Sequence, residues 1–273
     1  MNNHHIEENF SSSQGNIAHG SEGNGPDVVL VHGTPFHSVI WRALILKLRE
    51  DFRVHWLDLP GYGGSDKFDG QDVRLRSLAK VLSEWLDYKK LNNCHLVGHD
   101  FGAAAVLGAV TVNGFQASGL SIIDGVVLNP WGTEYSLLVK QNQSVFNAIP
   151  CYIHEATLRA HIAKASHHIL PESLIQSLVA PWLQEGGQQA YYRQVGQYDH
   201  DYTAKLEDLY PKLQTPTRIF WGREDCWVKL SVGEKLTSLI PSAILRVLPD
   251  AGHLSMLDSP GLLAQELKQW IDA

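Results

Sequence analysis

Asp100 lies in the run Gly98-His99-Asp100-Phe101-Gly102, directly after the apolar stretch from Cys94 to Val97. An apolar run closing on a glycine, a reactive residue and a second glycine reads as a strand turning sharply into a helix, with small residues where the turn leaves no room. A carboxylate with a reference pKa of about 3.9 is ionised at neutral pH, so it can act as a nucleophile without a base, which a serine could not. Attack on an acyl carbon would leave a strained anhydride; attack on a saturated carbon leaves an ordinary alkyl ester that water can cleave. The expected electrophile is therefore an epoxide or a carbon–halogen bond. As a plain structural residue Asp100 would cap the helix opening at Phe101, and the flanking glycines and distant partners tip the reading toward chemistry.

His253, in Asp250-Ala251-Gly252-His253-Leu254, follows the last strand expected in the chain. A loop there lies at the carboxyl edge of the sheet, where Asp100 also falls. An imidazole at that edge suits the base that takes a proton from water attacking the Asp100 ester. Two carboxylates are candidates for orienting it. Asp225 follows a strand in Trp221-Gly222-Arg223-Glu224-Asp225-Cys226-Trp227, and Asp124 ends the run Ser121-Ile122-Ile123-Asp124-Gly125. Either could fix the imidazole tautomer, with Asp225 preferred, because a carboxylate in an apolar run such as that of Asp124 also has a structural use. His32-Gly33-Thr34-Pro35 supplies a turn whose Thr34 amide can pair with the Phe101 amide as an oxyanion hole, while Pro35 has no amide hydrogen to offer.

The elements that must hold these groups alternate. Val28-Val29-Leu30-Val31 is a continuous β-branched run of the kind buried on both faces of a parallel sheet, and Phe52 to Asp58 reads as its neighbour. Ser38 to Glu50 suits a crossover helix between them, and Leu75 to Leu86 and Gly102 to Val112 suit further helices. Leu120 to Val127, Thr217 to Trp221 and Ile244 to Leu248 read as strands, and Pro260 to Ile271 as the last helix. Between Trp131 and Tyr210 strand character vanishes and helices are expected over Ala156 to Ser166, Pro171 to Leu183 and Gln188 to Gln197. The pattern predicts a doubly wound, mostly parallel α/β sheet over 26–130 and 211–273, interrupted by a helical cap over 131–210. Residues 1–25, polar and rich in Asn, Ser and Gly, are expected to form a partly disordered leader without the basic and apolar regions of a signal peptide.

With 273 residues, 44% of them hydrophobic, the chain can bury a full core. A net charge of −7 leaves no basic face for nucleic acid, and no apolar stretch is long enough to span a bilayer. Three widely spaced cysteines suit reduced thiols and a cytoplasmic setting. The loop Pro60-Gly61-Tyr62-Gly63-Gly64-Ser65 lacks the spacing of a phosphate cradle and is expected to be a structural turn. No metal or cofactor site is expected: His167-His168, adjacent in a predicted helix, point apart, and His4-His5 lie in the leader. The sequence leaves the oligomeric state open.

Together these motifs resemble the α/β-hydrolase family from about Val28 to the end, most weakly in the cap. The turn around Asp100 is similar to that of its epoxide hydrolase and haloalkane dehalogenase branch. That resemblance implies a two-step reaction of a small apolar molecule with water, through an Asp100 ester. Phe101 departs from the dehalogenases, which usually place a halide-binding Trp after the nucleophile, and from the fluoroacetate dehalogenases, which place an Arg there; phenyl donates no hydrogen bond. Many dehalogenases also carry Asn or Glu where this chain has Thr34. Epoxide hydrolases use two cap tyrosines as donors to the epoxide oxygen. Ala190-Tyr191-Tyr192-Arg193 is similar to the segment carrying one, which points to Tyr192, with Tyr135 or Tyr152 as the second. Trp131, Trp182 and Trp227 are candidates to donate to a halide or to wall the pocket. The expected activity is epoxide hydrolysis, with dehalogenation next. A ligand receptor built on the fold, or a lyase or oxygenase using His253 as base, are the readings from other classes.

Overall fold

In a computed structural model of the chain, which describes residues 8–272, the strands form one eight-stranded sheet. They are β1 (Glu8–Ser12), β2 (Gly15–Glu22), β3 (Asp27–Val31), β4 (Arg53–Leu57), β5 (His95–His99), β6 (Gly119–Ile123), β7 (Thr217–Gly222) and β8 (Ala243–Leu248). Their order in space is β1-β2-β4-β3-β5-β6-β7-β8, antiparallel as far as β4 and parallel beyond it. The central strands are buried along their length, as parallel strands covered by helices on both faces must be. The edge strand β8 alternates exposed and covered positions.

Helices α1 (Arg42–Leu48), α2 (Leu75–Tyr88) and α3 (Phe101–Thr111) connect the first parallel strands, and α1 is preceded by a 3-10 turn over Ser38–Trp41. Alanines and glycines let α3 sit close to the sheet, buried from Phe101 to Ala109. Between β6 and β7 come α4 (Glu134–Gln141), α5 (Gln143–Ala148), α6 (Cys151–Ala165), α7 (Glu172–Leu183), α8 (Gly187–Gly196) and α9 (His200–Leu209), and after β7 come α10 (Leu230–Leu239), α11 (Ser255–Asp258) and α12 (Pro260–Ile271). The helical stretch between β6 and β7, here called the cap, is tied down by polar contacts: the Trp182 indole donates to the Pro35 carbonyl at 2.9 Å, and His37 meets the Ser177 carbonyl at 3.1 Å.

Three expectations are corrected. Residues 8–22 are a hairpin paired to β4, so the polar leader is sheet there. Its sequence hides this because side chains hold polar backbone groups in place: Asp66 accepts the Asn16 amide and Ser65 the Ala18 amide. His4-His5 lie outside the described residues. The strand expected from Leu120 to Val127 ends at Ile123, because Asp124 turns the chain with φ of 44°. His167 and His168 lie beyond the end of α6, and their amides donate to the Asp258 carboxylate.

The glycine-rich loop is a turn wrapped on a buried carboxylate: Asp58 accepts the amides of Ser38 and Gly64, each at 2.8 Å. Among the described residues no helix is long and apolar enough to cross a membrane. None of their His, Cys, Asp and Glu side chains gather in a group that could hold a metal ion.

Candidate active site

Register brings the carboxyl ends of the strands level: Val31 of β3 pairs with Gly98 of β5, His99 of β5 with Ile123 of β6, and Gly222 of β7 with Leu248 of β8. The turns leaving those strands therefore carry Thr34, Asp100, Asp124, Asp225 and His253 to one edge. Asp100 takes φ of 53°, a conformation that costs a non-glycine residue on the order of 1–3 kcal/mol and is retained where the surroundings enforce it. The flanking glycines enforce it by close approach. A Cβ on Gly98 would lie 2.5 Å from the Gly102 carbonyl oxygen, and one on Gly102 would lie 2.2 Å from that of Val31.

The two oxygens of Asp100 face different groups. Oδ1 accepts the Thr34 amide at 2.7 Å, and Oδ2 lies 3.4 Å from Nε2 of His253. That second contact is an ion-pair distance, longer than a well-made hydrogen bond, and Nε2 has no hydrogen-bond partner. No hydrogen bond joins the Phe101 amide to Oδ1, so Thr34 is the half of the expected oxyanion hole that is engaged.

His253 is fully buried, its ring packed against Trp227 and His99 at centroid distances of 5.1 and 4.7 Å. Its Nδ1 lies 2.9 Å from Asp225 Oδ2, while Asp225 Oδ1 accepts the amides of Trp227 and Val228. Of the two candidate acids, the structure brings Asp225 to the histidine. Asp124 is spent elsewhere: it accepts the Gly222 amide and the Ser255 hydroxyl, each at 2.7 Å. Burial, and then repulsion from Asp225, raise the Asp124 carboxyl well above the usual carboxylate range. Burial opposes a charge on His253, yet the Asp225 and Asp100 carboxylates outweigh it and raise the imidazole well above 6.5.

Above this edge lies a cavity of about 280 Å³ lined by Thr34, Asp100, Phe101, Trp131, His161 and Trp227 together with valines 126, 127, 195, 228 and 232. It is mostly apolar. The cap residues expected there divide. Trp131 and Trp227 line it, but Trp131 turns its indole N–H to Thr203 Oγ1 at 3.0 Å. Trp182 is buried behind Pro35 and outside the lining. Tyr192 is also fully buried and outside it, with its hydroxyl 3.1 Å from His154 Nδ1. Tyr135 stands one layer back, 3.4 Å from the Tyr191 hydroxyl, and Tyr152 is 71% exposed to solvent. Its neighbour Tyr191, also outside the lining, meets a residue that does line the cavity: its hydroxyl is 3.2 Å from His161 Nδ1.

His161 is a polar cap residue lining the cavity that the sequence reading did not name, as are Thr133 and Ser136. The available signal was its spacing: His161 stands three residues after Leu158 and four before Ala165 along α6, beside the face that also carries His154 and Ile162. Burial, with the charge of His253 adding to it, lowers the His161 pKa to about 3.

Comparisons with known proteins agree with this architecture. The model of the Alpha/beta hydrolase family matches residues 28–266. Haloalkane dehalogenase 2 of Mycobacterium tuberculosis is 27% identical over 271 residues, covering 93% of this chain and 91% of its own. The crystal structure of an alpha/beta hydrolase fold protein from Burkholderia ambifaria superposes with a TM-score of 0.93 at 35% identity, covering 96% of this chain and 97% of that one. A thermophilic esterase from Thermogutta terrifontis shares the fold with a TM-score of 0.77 at 22% identity, over 97% of each chain.

Proposed function

This chain belongs to the alpha/beta hydrolase family, and we propose that within it the protein hydrolyses small or medium apolar epoxides through a covalent ester on Asp100. The observation that carries the reading is the division of labour between the two Asp100 oxygens, one on the Thr34 amide and the other turned toward His253.

Oδ2 attacks a ring carbon, the epoxide C–O bond opens, and Oδ1 becomes the carbonyl oxygen of an alkyl ester. The carboxylates on the two sides of His253 favour a proton on it in the resting site. Esterification cancels the Asp100 charge, so the imidazole loses one of its stabilising partners and releases that proton, which balances the one the opened epoxide oxygen takes up. The neutral ring then takes a proton from water as the water attacks the ester carbon. Charge develops on Oδ1, where the Thr34 amide already donates. Cleavage returns the Asp100 carboxylate and the protonated histidine, and the product is a diol. Asp225 holds Nδ1–H throughout, which keeps Nε2 as the reactive nitrogen.

An epoxide is favoured over a halide because Phe101 has no donor beside the nucleophile and the indoles of Trp131 and Trp182 are committed. The second reading, dehalogenation, is supported by the relative named as a dehalogenase and by Trp227, which lines the cavity beside His253. Products separate the two, since an epoxide yields a diol and a haloalkane yields free halide. Trp227→Phe should slow halide release by roughly tenfold or more in the second case, the loss of one hydrogen bond to a charged group, and slow diol formation by less than that in the first, where only ring packing on His161 and His253 changes.

Asp100→Ala should lose turnover by at least about ten-thousandfold, as triad losses do. His253→Gln should stop after alkylation, and the peptide containing Asp100 should then gain the mass of the epoxide. Full activity in Asp100→Ala would overturn the proposal.

A further inference from the structure

We propose that His161 donates from Nε2 to the epoxide oxygen as Asp100 attacks the adjacent carbon, and that Tyr191 behind it supplies the proton that oxygen keeps. This rests on Asp100 as nucleophile and assigns the group opposite it.

His161 and Asp100 line the same cavity. The imidazole is clamped edge-on between Trp227, 4.4 Å away by ring centroids, and Tyr135, 4.7 Å away, so its orientation is set by packing. Its Nδ1 faces the Tyr191 hydroxyl at 3.2 Å, and Tyr191 is fully buried. That hydroxyl has one hydrogen and two neighbours, Nδ1 and the Tyr135 oxygen at 3.4 Å. An imidazole nitrogen is the stronger acceptor and here the nearer one, so the hydrogen goes to Nδ1 and the ring carries its own on Nε2. Nε2 has no protein partner among the described residues. Burial keeps the ring neutral above a pKa of about 3, which makes it a neutral donor of the kind that polarises an oxygen without becoming an imidazolium.

The step balances. As the Oδ2–C bond forms, the C–O bond breaks and its electron pair stays on oxygen. That oxygen takes the Nε2 proton while Nδ1 takes the Tyr191 proton, leaving a phenolate. Burial holds the Tyr191 phenol well above its ordinary value, so the phenolate is short-lived. It recovers its proton back through the same ring: His161, which lines the cavity, takes up at Nε2 the proton that His253 gives up once it no longer faces an Asp100 charge, and returns the one on Nδ1 to Tyr191; the attacking water later restores the proton of His253. The sum is epoxide plus water to diol.

Rapid-mixing single turnovers with styrene oxide, quenched and read by mass spectrometry of the Asp100 peptide, separate alkylation from ester cleavage. His161→Phe should slow alkylation by roughly a hundredfold, the usual range for a lost acid, and leave ester cleavage within about threefold. His161→Gln, which keeps an N–H near Nε2, should recover part of the loss. Tyr191→Phe should slow alkylation by styrene oxide and leave ester cleavage within about threefold, because the relay acts only in ring opening; a merely structural tyrosine would affect both steps alike. Wild-type alkylation rates in His161→Phe would overturn this inference alone. If His161→Phe does not fold, wild-type epoxide rates in both His161→Gln and Tyr191→Phe would overturn it. Failure of the wild-type protein to form any Asp100 adduct would overturn the nucleophile reading, and this inference with it.

Discussion

The two walls of the cavity are built in different ways. On the sheet side, Asp100, Asp225 and His253 stand on turns that leave β5, β7 and β8, and backbone groups fix the two carboxylates, the Thr34 amide on Asp100 and the Trp227 and Val228 amides on Asp225, which in turn holds His253. On the cap side, His161 and Tyr191 stand in the middle of α6 and α8 and are held by each other and by neighbouring rings. A side chain fixed by backbone amides at a strand end keeps its place while its neighbours vary. One fixed by packing between helices depends on every ring around it. The sheet wall thus suits a fixed reaction, and the cap wall suits adjustable choice of substrate.

The sheet wall should break most sharply. In Asp225→Asn the Oδ1 contacts to Trp227 and Val228 can survive, but an NH₂ placed at Nδ1 donates instead of accepting and selects the wrong imidazole tautomer. Ester cleavage should fall by about ten-thousandfold with the fold intact. Stopped-flow measurement of the second step checks this. Asp124→Asn tests the other acid at the same edge. Its raised pKa makes the amide a fair mimic of the protonated acid, so turnover should stay within about tenfold while unfolding free energy drops by roughly 1–3 kcal/mol for the disturbed contacts to Gly222 and Ser255. If Asp124→Asn stops the second step and Asp225→Asn does not, the roles are reversed.

A third test reads the charge on His253. Because its folded pKa is raised above the unfolded 6.5, its contribution to stability is fully present below pH 6.5 and is lost as pH rises through the folded value. Asp100→Asn removes one of the raising carboxylates, so NMR titration should find the imidazole pKa lower in that variant, with less stability lost on the alkaline side. An unchanged His253 pKa would mean that Asp100 does not act on it. On the cap wall, Tyr192→Phe should change alkylation by less than about threefold, because the Tyr192 hydroxyl is turned to His154 and away from the cavity. A larger loss would show that Tyr192 reaches the substrate and that the packing contrast between the walls is wrong.

This contrast also governs what was legible in the sequence. The strand-end turns announce themselves locally: Gly98 and Gly102 around Asp100, and the β-branched runs before each turn, are short patterns with one physical meaning. The choice of Asp225 over Asp124 was only a preference in sequence, because it depends on which carboxylate meets His253 across two strands. The hairpin of β1 and β2 was missed because its partner, β4, lies more than thirty residues away and its own residues are polar. His161 was missed and Tyr192 preferred to Tyr191 because helical spacing tells which residues share a face, while the rotation of α8 against α6 is set by tertiary packing. The place of Trp182 was hidden for the same reason: its indole donates to the Pro35 carbonyl and it stands outside the cavity lining.

The covalent ester is tested most directly by a single turnover in water enriched in the heavy oxygen isotope, with protein in excess over an epoxide that it turns over. The expected result is heavy oxygen in the Asp100 carboxylate and none in the first diol released, because the oxygen added to the substrate is then the one Asp100 held. Heavy oxygen in the first diol with an unlabelled Asp100 would mean that water attacks the substrate directly, and would contradict the account at its centre.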